Sequence, residues 1–342
     1  MTVSLHHRHP DPGLWEVPAE ALAMELDGPT LIHIPGAKRP ELFVSVLLHG
    51  DENSGWDGVR TLLAELGPTL PRAMTLLIGN VTAAARGVRH LPNEMDYNRI
   101  WKPGPSAEQQ LAQQILSRVR ERGCFACIDI HNNSGRNPHY CVLTDDAPTT
   151  LGLARLFSPR AVFSRAPDTV STLALSAIAP ALTLECGQAS DPFSAARARD
   201  YLEVLLALDA LPVAHAGELE LYRSDVRVLI DERADFGFDD SVALQLRPEL
   251  EAQNFCLLPA GTLMATLHGE PAHHLHQPLR AINGATHDLT PRYFVAQGLE
   301  IRLREAVVPA MYTTNPDIAR QDCLCYFMER LPPLHSDTSL LL

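Results

Sequence analysis

What the chain lacks narrows its options before any motif is read. No uncharged apolar run approaches the roughly 18 residues that a membrane-spanning helix needs, so none is expected. The start of the chain, Met1 to Pro12, is polar and histidine-rich without an apolar stretch, so no secretory leader is expected either. No run of Lys and Arg marks a membrane patch. The formal net charge of -13 opposes nucleic acid, whose phosphates demand a basic footprint. An anionic small molecule remains open, through a few local arginines. There are no internal repeats and no low-complexity segment. Seven cysteines, odd in number and scattered, read as reduced thiols of a cytoplasmic protein rather than a disulfide framework.

What is present supports a packed fold. The 342 residues are 46% hydrophobic, enough for one large domain or two ordinary ones. Strands are expected over Thr30–Ile34, Glu41–Leu48, Met74–Asn80, Phe125–Ile130, Tyr140–Leu143 and Ala181–Cys186, with Pro35 to Pro40 as a turn. Helical spacing predicts helices over Trp56–Leu66, Ser106–Arg122 with Ser106 as N-cap, and Phe193–Leu211. Alternating strands and helices argue for an α/β sheet covered on both faces. After Gly217 the segments become short and strand-like: Leu219–Tyr222, Val226–Ile230, Leu263–Leu267, Tyr293–Val295 and Leu299–Leu303. The expected architecture is a mixed sheet flanked by helices over 1–215, then a smaller β-rich C-terminal domain over 216–342.

The chemistry concentrates where apolar strands end. Leu42 to Leu48 runs directly into His49-Gly50-Asp51-Glu52. A neutral imidazole and a carboxylate turned to one point suit zinc. The spacing alone is weak, and a second copy at His215 and Glu218 lacks the strand setting and reads as chance. Gly50 is read as allowing a sharp turn, and Asn53-Ser54-Gly55 as a helix start. His131 ends the strand Cys127–Ile130, so His49, Glu52 and His131 reach the carboxyl edge of one sheet, where ligands of α/β enzymes bind. Three protein ligands leave a fourth position free, as in catalytic rather than structural zinc sites. Asp129 is a candidate outer partner, with strand alternation leaving its direction open. Glu185, at the end of another apolar strand, is placed to take a proton from water that zinc has acidified and to pass it to a leaving amine. Asn98 and Arg99 offer an amide and a planar fork for a carboxylate, and Arg89 a charge for an oxyanion.

Taken together, His49-Gly-Asp-Glu52, Asp96-Tyr-Asn-Arg99, Asp129-Ile-His131 and Leu184-Glu-Cys-Gly187 resemble the succinylglutamate desuccinylase/aspartoacylase family of the zinc-carboxypeptidase superfamily. The resemblance spans roughly residues 40–190. It implies a zinc amidohydrolase that cleaves an N-acyl amino acid, with one Zn2+ per chain on His49, Glu52 and His131. It implies Glu185 as general base and acid, Arg89 as oxyanion stabiliser, and Asn98 and Arg99 as binders of the substrate carboxylate. Asn80-Val-Thr-Ala83, nine residues ahead of Arg89, matches a family stretch in which Val81 replaces a proline; Tyr97 replaces a leucine. Ser171 and Leu175 stand where aspartoacylase carries a tyrosine and an arginine, so the likeness does not extend to an aspartoacylase proper. The rival readings are a metallocarboxypeptidase on small peptides and a non-catalytic metal-binding or sensor protein. Retention of Glu185 speaks against the latter, since holding zinc does not require it. The expected partner is a small N-acyl amino acid, without nucleic acid or membrane; a homo-oligomer is compatible with the sequence. His268, His273, His274 and His276 are read as loop residues, and Cys124, Cys127, Cys323 and Cys325 as buried thiols.

Overall fold

The apolar runs become strands and the amphipathic stretches become helices, the two kinds interspersed along the chain. The computed structural model describes residues 4–165, 167–269, 277–284 and 287–331, with the backbone alone at Ala216 and Asp225. The chain opens with β1 (His6–Arg8), β2 (Thr30–Ile34) and β3 (Gly36–Val46), followed by α1 (Ser54–Leu66), β4 (Leu70–Ile78), α2 (Val81–Ala84) and α3 (Ala107–Arg122). Then come β5 (Cys124–His131), β6 (Tyr140–Leu143), α4 (Pro148–Phe157), β7 (Arg160–Phe163), α5 (Ser171–Ser176), β8 (Ala181–Glu185) and α6 (Ser194–Ala207). The strands form a mixed sheet in the order β1-β2-β4-β3-β5-β8-β6-β7. At its centre β3, β5 and β8 are adjacent and parallel. The antiparallel pairs are β2 with β4 and β8 with β6.

Helices cover both faces, which is why the central strands read as unbroken apolar runs. On one face Leu111, Ile115 and Val119 of α3 pack with Phe43, Leu77, Cys127 and Ala181. On the other, Gly55 of α1 lies against Val46 and Ile130. Each such buried aliphatic side chain contributes about 1.5–3 kcal/mol of transfer free energy. The α3 start is sharply specified: Ser106 Oγ accepts from the Gln109 amide while the Gln109 side chain accepts from the Ser106 amide.

Three expectations change. Pro35 to Pro40 is not a turn: β3 begins at Gly36 and pairs with β4 at Leu70, with a register shift between Lys38 and Leu42 that accommodates Pro40. The helices α4 and α5 and strand β7 are too short to impose a period on the sequence. Leu219–Tyr222 and Val226–Ile230 are parts of one strand, β9 (Glu220–Ile230).

Two compact units divide the chain. The first takes in residues 4–132 and 139–221, and the second Tyr222–Leu331 together with Asn133–Pro138, a hexapeptide inside the range assigned from sequence to the first domain. Beyond β9 the second unit contains β10 (Phe236–Gly237), β11 (Leu244–Leu246), β12 (Leu263–Leu267), β13 (Leu279–Asn283), β14 (His287–Asp288) and α7 (Thr290–Tyr293). It continues with β15 (Phe294–Gln297), β16 (Glu300–Leu303), β17 (Val308–Ala310), α8 (Pro316–Gln321) and β18 (Cys325–Arg330). One five-stranded sheet runs β10-β11-β12-β16-β15, while β9 pairs with β13 and β18. Leu246, Met264, Ala265, Leu303 and Leu324 are among its buried core. Cys127, Cys323 and Cys325 are buried, Cys124 is partly so, and its Sγ lies 3.3 Å from that of Cys127. His268 bonds Gln245, whereas His273, His274 and His276 lie outside the described residues. No helix among the described residues is long and apolar enough to cross a membrane.

Candidate metal centre

The parallel trio β3, β5 and β8 delivers the site. Register pairs Ser45 with Asp129 and His131 with Glu185, so the three strands end side by side. Beyond β3 the chain turns through Leu47, whose φ of 56° is left-handed, and reaches His49. Leu47 makes the left-handed step, and Gly50 lies in a second turn, closed by the Glu52 amide donating to the His49 carbonyl at 3.3 Å, without a positive φ of its own. Gly50 is needed for a different reason: a Cβ there would stand 2.3 Å from the backbone of Ala83 and Ala84 in α2. Asn80 caps α2, accepting from the Ala83 amide, and the Gly50 amide donates to the Arg89 carbonyl, fastening the two loops together.

His49, Glu52 and His131 converge, each offering one ligand atom, all within 4.8 Å of one another. His49 Nδ1 is 2.7 Å from Glu52 Oε1 and His131 Nδ1 is 2.8 Å from Glu52 Oε2, the rings meeting edge-on. The far nitrogens face carboxylates as well: His49 Nε2 lies 3.0 Å from Asp96 Oδ1, and His131 Nε2 lies 2.9 Å from Asp129 Oδ2. Asp129 and His131 are two apart on one strand, so alternation puts them on the same face and settles the direction left open by sequence. Asn132 completes the frame. Its amide N–H donates to Glu52 Oε2, and its side chain accepts from the Ser54 amide and donates to Ser54 Oγ and the Gly187 carbonyl. The cap of α1 therefore comes from Asn132, since Asn53 makes no side-chain cap bond.

These contacts are a test of fit for a cation. A neutral imidazole has one N–H and one lone pair. In the tautomers with each Nε2–H directed at an aspartate, both Nδ1 lone pairs face the oxygens of Glu52, an opposition that a bound cation or a proton on the ring relieves. The charge balance agrees. Burial disfavours ionisation of Glu52, Asp96 and Asp129, yet their histidine neighbours hold all three below the usual carboxylate range. Burial also opposes charge on His131, but Asp129 and Glu52 outweigh it and raise its proton affinity well above that of free imidazole. Asp51 adds a buried Oδ1 with no hydrogen-bond partner among the described residues. Two imidazoles and one carboxylate with a surplus of negative field suit a divalent ion, and the donor set is that of catalytic zinc.

Around this centre the other expected residues fall as follows. Glu185 is buried, and burial, with Glu52 and Asp129 adding to it, pushes its pKa up to about 8 against the opposing pull of His131 and Arg89. Arg89 donates through Nε and Nη2 to Asp96 Oδ2 at 3.1 and 3.0 Å, and its Nη1 is 3.8 Å from Glu52. Asn98 Oδ1 accepts from the Ser171 amide at 3.0 Å, and Arg99 Nη1 donates to the Asn98 carbonyl. The structure thus brings His49, Glu52 and His131 together, with Arg89 beside Glu52, and sets Glu185 on the strand beside His131. Asp96, Asn132, Ser45 and Ser171 were given no part from sequence. Asp96 lies within a quoted motif and Asn132 follows one, whereas Ser171 was noted only as a departure from aspartoacylase and Ser45 not at all. His215 and Glu218, the second copy of the spacing, lie elsewhere: Glu218 accepts from the His215 amide and pairs with Arg155.

The fold has close counterparts among solved structures. Succinylglutamate desuccinylase from Chromobacterium violaceum is 17% identical with a TM-score of 0.54, over 88% of this chain and 86% of that one. Murine aminoacylase 3 is 16% identical with a TM-score of 0.55, over 86% and 96%. The product-bound ectoine utilization protein EutE (DoeB) from Ruegeria pomeroyi is 15% identical with a TM-score of 0.52, over 90% and 84%. At these identities the likeness establishes the fold. No curated protein matches the chain in sequence. The succinylglutamate desuccinylase/aspartoacylase catalytic domain, however, matches residues 38–211, just over half of the chain. The chain therefore belongs to the succinylglutamate desuccinylase/aspartoacylase family of amidohydrolases.

Proposed function

We propose that the chain is a zinc-dependent amidohydrolase that hydrolyses the amide bond of an N-acyl amino acid, with the catalytic machinery in residues 1–215. The observation that carries this reading is the pair of imidazole Nδ1 atoms facing one carboxylate while each Nε2 faces another. His49, Glu52 and His131 would hold the ion. When bound, zinc supplies a Lewis acid that acidifies water and polarises a carbonyl.

The chain's own groups do the rest. Glu185, on the strand beside His131, takes the proton of the attacking water and returns it to the departing amine. Asp96 holds Arg89 beside the centre, where its guanidinium faces the charge that grows on the acyl oxygen. Asn98 has its carbonyl oxygen engaged by the Ser171 amide, which directs its NH2 outward as a donor. That donor and the Arg99 guanidinium hold the carboxylate of the amino-acid portion. Asp96 and Asp129 keep the two imidazoles in the tautomer whose Nδ1 is free to ligate.

A panel of N-acetyl, N-formyl and N-succinyl amino acids, assayed for released amine, tests the reading. The purified chain is expected to carry about one zinc and to release amine from at least one member. Glu185→Gln should retain the zinc and lose turnover. Turnover of dipeptides alone would instead assign a carboxypeptidase, and loss of zinc or unchanged turnover in the variant would refute the role of Glu185.

A further inference from the structure

We propose that Ser171 is a positioning residue that ties the metal-holding side of the site to the carboxylate-binding side. The inference rests on the proposed zinc amidohydrolase and concerns a residue that touches neither metal nor substrate. Ser171 opens α5 and is fully buried. Its Oγ donates to Asp129 Oδ2, the oxygen that also accepts from His131 Nε2. Its backbone N–H donates to Asn98 Oδ1. One residue thus terminates two chains of contact: His131 to Asp129 to the Ser171 hydroxyl, and Asn98 to the Ser171 amide.

Neighbouring bonds make the link stiff. The Trp101 amide donates to the Thr169 carbonyl at 3.1 Å, a second tie between the Asn98 loop and the entry to α5. The helix itself packs on β5 and β8, the strands that carry His131 and Glu185. Asp129 has one further hydroxyl donor, Ser45 Oγ at 2.6 Å, and no hydrogen bond links Ser45 to Asn98 among the described residues. Ser45 and Ser171 therefore act on the same carboxylate, but only Ser171 is joined to the substrate side. A tyrosine, which resemblance places at this position in aspartoacylase, would not fit the fully buried volume of a serine.

The roles separate by experiment. Zinc affinity is measured by competition with a chromophoric chelator, using Zn2+ alone, and KM with the best substrate from the amino-acid panel. Ser171→Ala should weaken zinc binding measurably, by less than the roughly 10–100-fold expected for loss of Asp129, the direct partner of His131, and should also raise KM. Ser45→Ala should weaken zinc binding without raising KM. Ser171→Thr, which restores a hydroxyl, should recover most of the zinc affinity. In the wild-type chain, addition of Zn2+ should slow hydrogen exchange at the Ser171 amide, a readout that needs no variant. Unchanged zinc affinity in Ser171→Ala, equal weakness of the Ala and Thr variants, equal KM effects at Ser45 and Ser171, or an unaltered Ser171 amide would each overturn the proposal. A wild-type chain that binds no zinc would bring down the zinc reading itself, and this inference with it.

Discussion

Replacing Asp96 with asparagine changes one atom in the best-connected carboxylate of the site. Asp96 Oδ1 takes the His49 Nε2 proton at 3.0 Å and the Asn98 amide at 2.7 Å, while Oδ2 takes two Arg89 donors. An asparagine has two ways to sit there. With its oxygen toward His49, its NH2 meets the Arg89 donors head-on and frees the guanidinium. With its NH2 toward His49, the imidazole must place its proton on Nδ1, the atom that faces Glu52. The first arrangement keeps the ligating tautomer and is the expected one. Loss of a charged outer partner then lowers zinc affinity by about 10–100-fold, equivalent to about 1.4–2.7 kcal/mol. Release of Arg89 costs turnover separately, by up to about 100-fold even when zinc saturates. Chelator competition measures the first effect and turnover at saturating zinc the second. Arg89→Ala serves as the comparison, because it leaves the Asp96 to His49 bond intact: turnover should fall while zinc affinity holds. Zinc affinity of Asp96→Asn within about threefold of wild type would refute the assigned part of Asp96 in orienting His49.

Gly50→Ala forces a Cβ to within 2.3 Å of the α2 backbone, so His49 or α2 must move; thermal denaturation should register a loss of about 1–3 kcal/mol or more. Leu175→Arg, which would restore the charge that aspartoacylase carries there, should not create an acidic-substrate pocket. Leu175 is buried among aliphatic side chains, and the variant should fail to accumulate as folded protein. Asn98→Ala should raise KM on the panel substrate with little change in zinc affinity, as expected for lost binding that ground and transition states share. A last expectation concerns acid stability. Burial opposes ionisation of Glu41, but Arg122, Thr75 and His33 hold its pKa below the ordinary value. A depressed carboxylate stabilises the fold above the unfolded-state value of about 4.3 and loses that contribution as pH falls through the folded value. Glu41→Gln should flatten the acid side of a urea-midpoint profile; an unchanged slope would contradict this.

What could be read from the sequence, and what could not, follows from how each residue acts. The proposed ligands His49, Glu52 and His131 were legible because His131 ends one apolar strand and the other two lie in the loop that follows another, and strand ends of a parallel sheet meet at one edge. Glu185 was legible for the same reason. Asp129 was half-legible: its two-residue separation from His131 fixes the face, but only the pairing of β5 with β3 and β8 shows that this face carries His131 toward Glu52. Ser171 was visible only as a departure from aspartoacylase and its part was not legible, because its effect depends on α5, six residues whose helical character comes from packing on β5 and β8 rather than from any period of its own. Gly50 does lie in the turn from His49 to Glu52, but a left-handed φ is not why a glycine is needed there. A glycine in sequence signals either freedom of φ or room for a neighbour, and only the approach of the Ala83 and Ala84 backbone distinguishes them. The residues proposed to hold the ion are thus written in local sequence, whereas the groups that orient them are written in strand register and helix packing. Activity should accordingly tolerate substitutions at exposed positions of α3 far better than the loss of a single buried hydroxyl at Ser171, although no motif marks that serine.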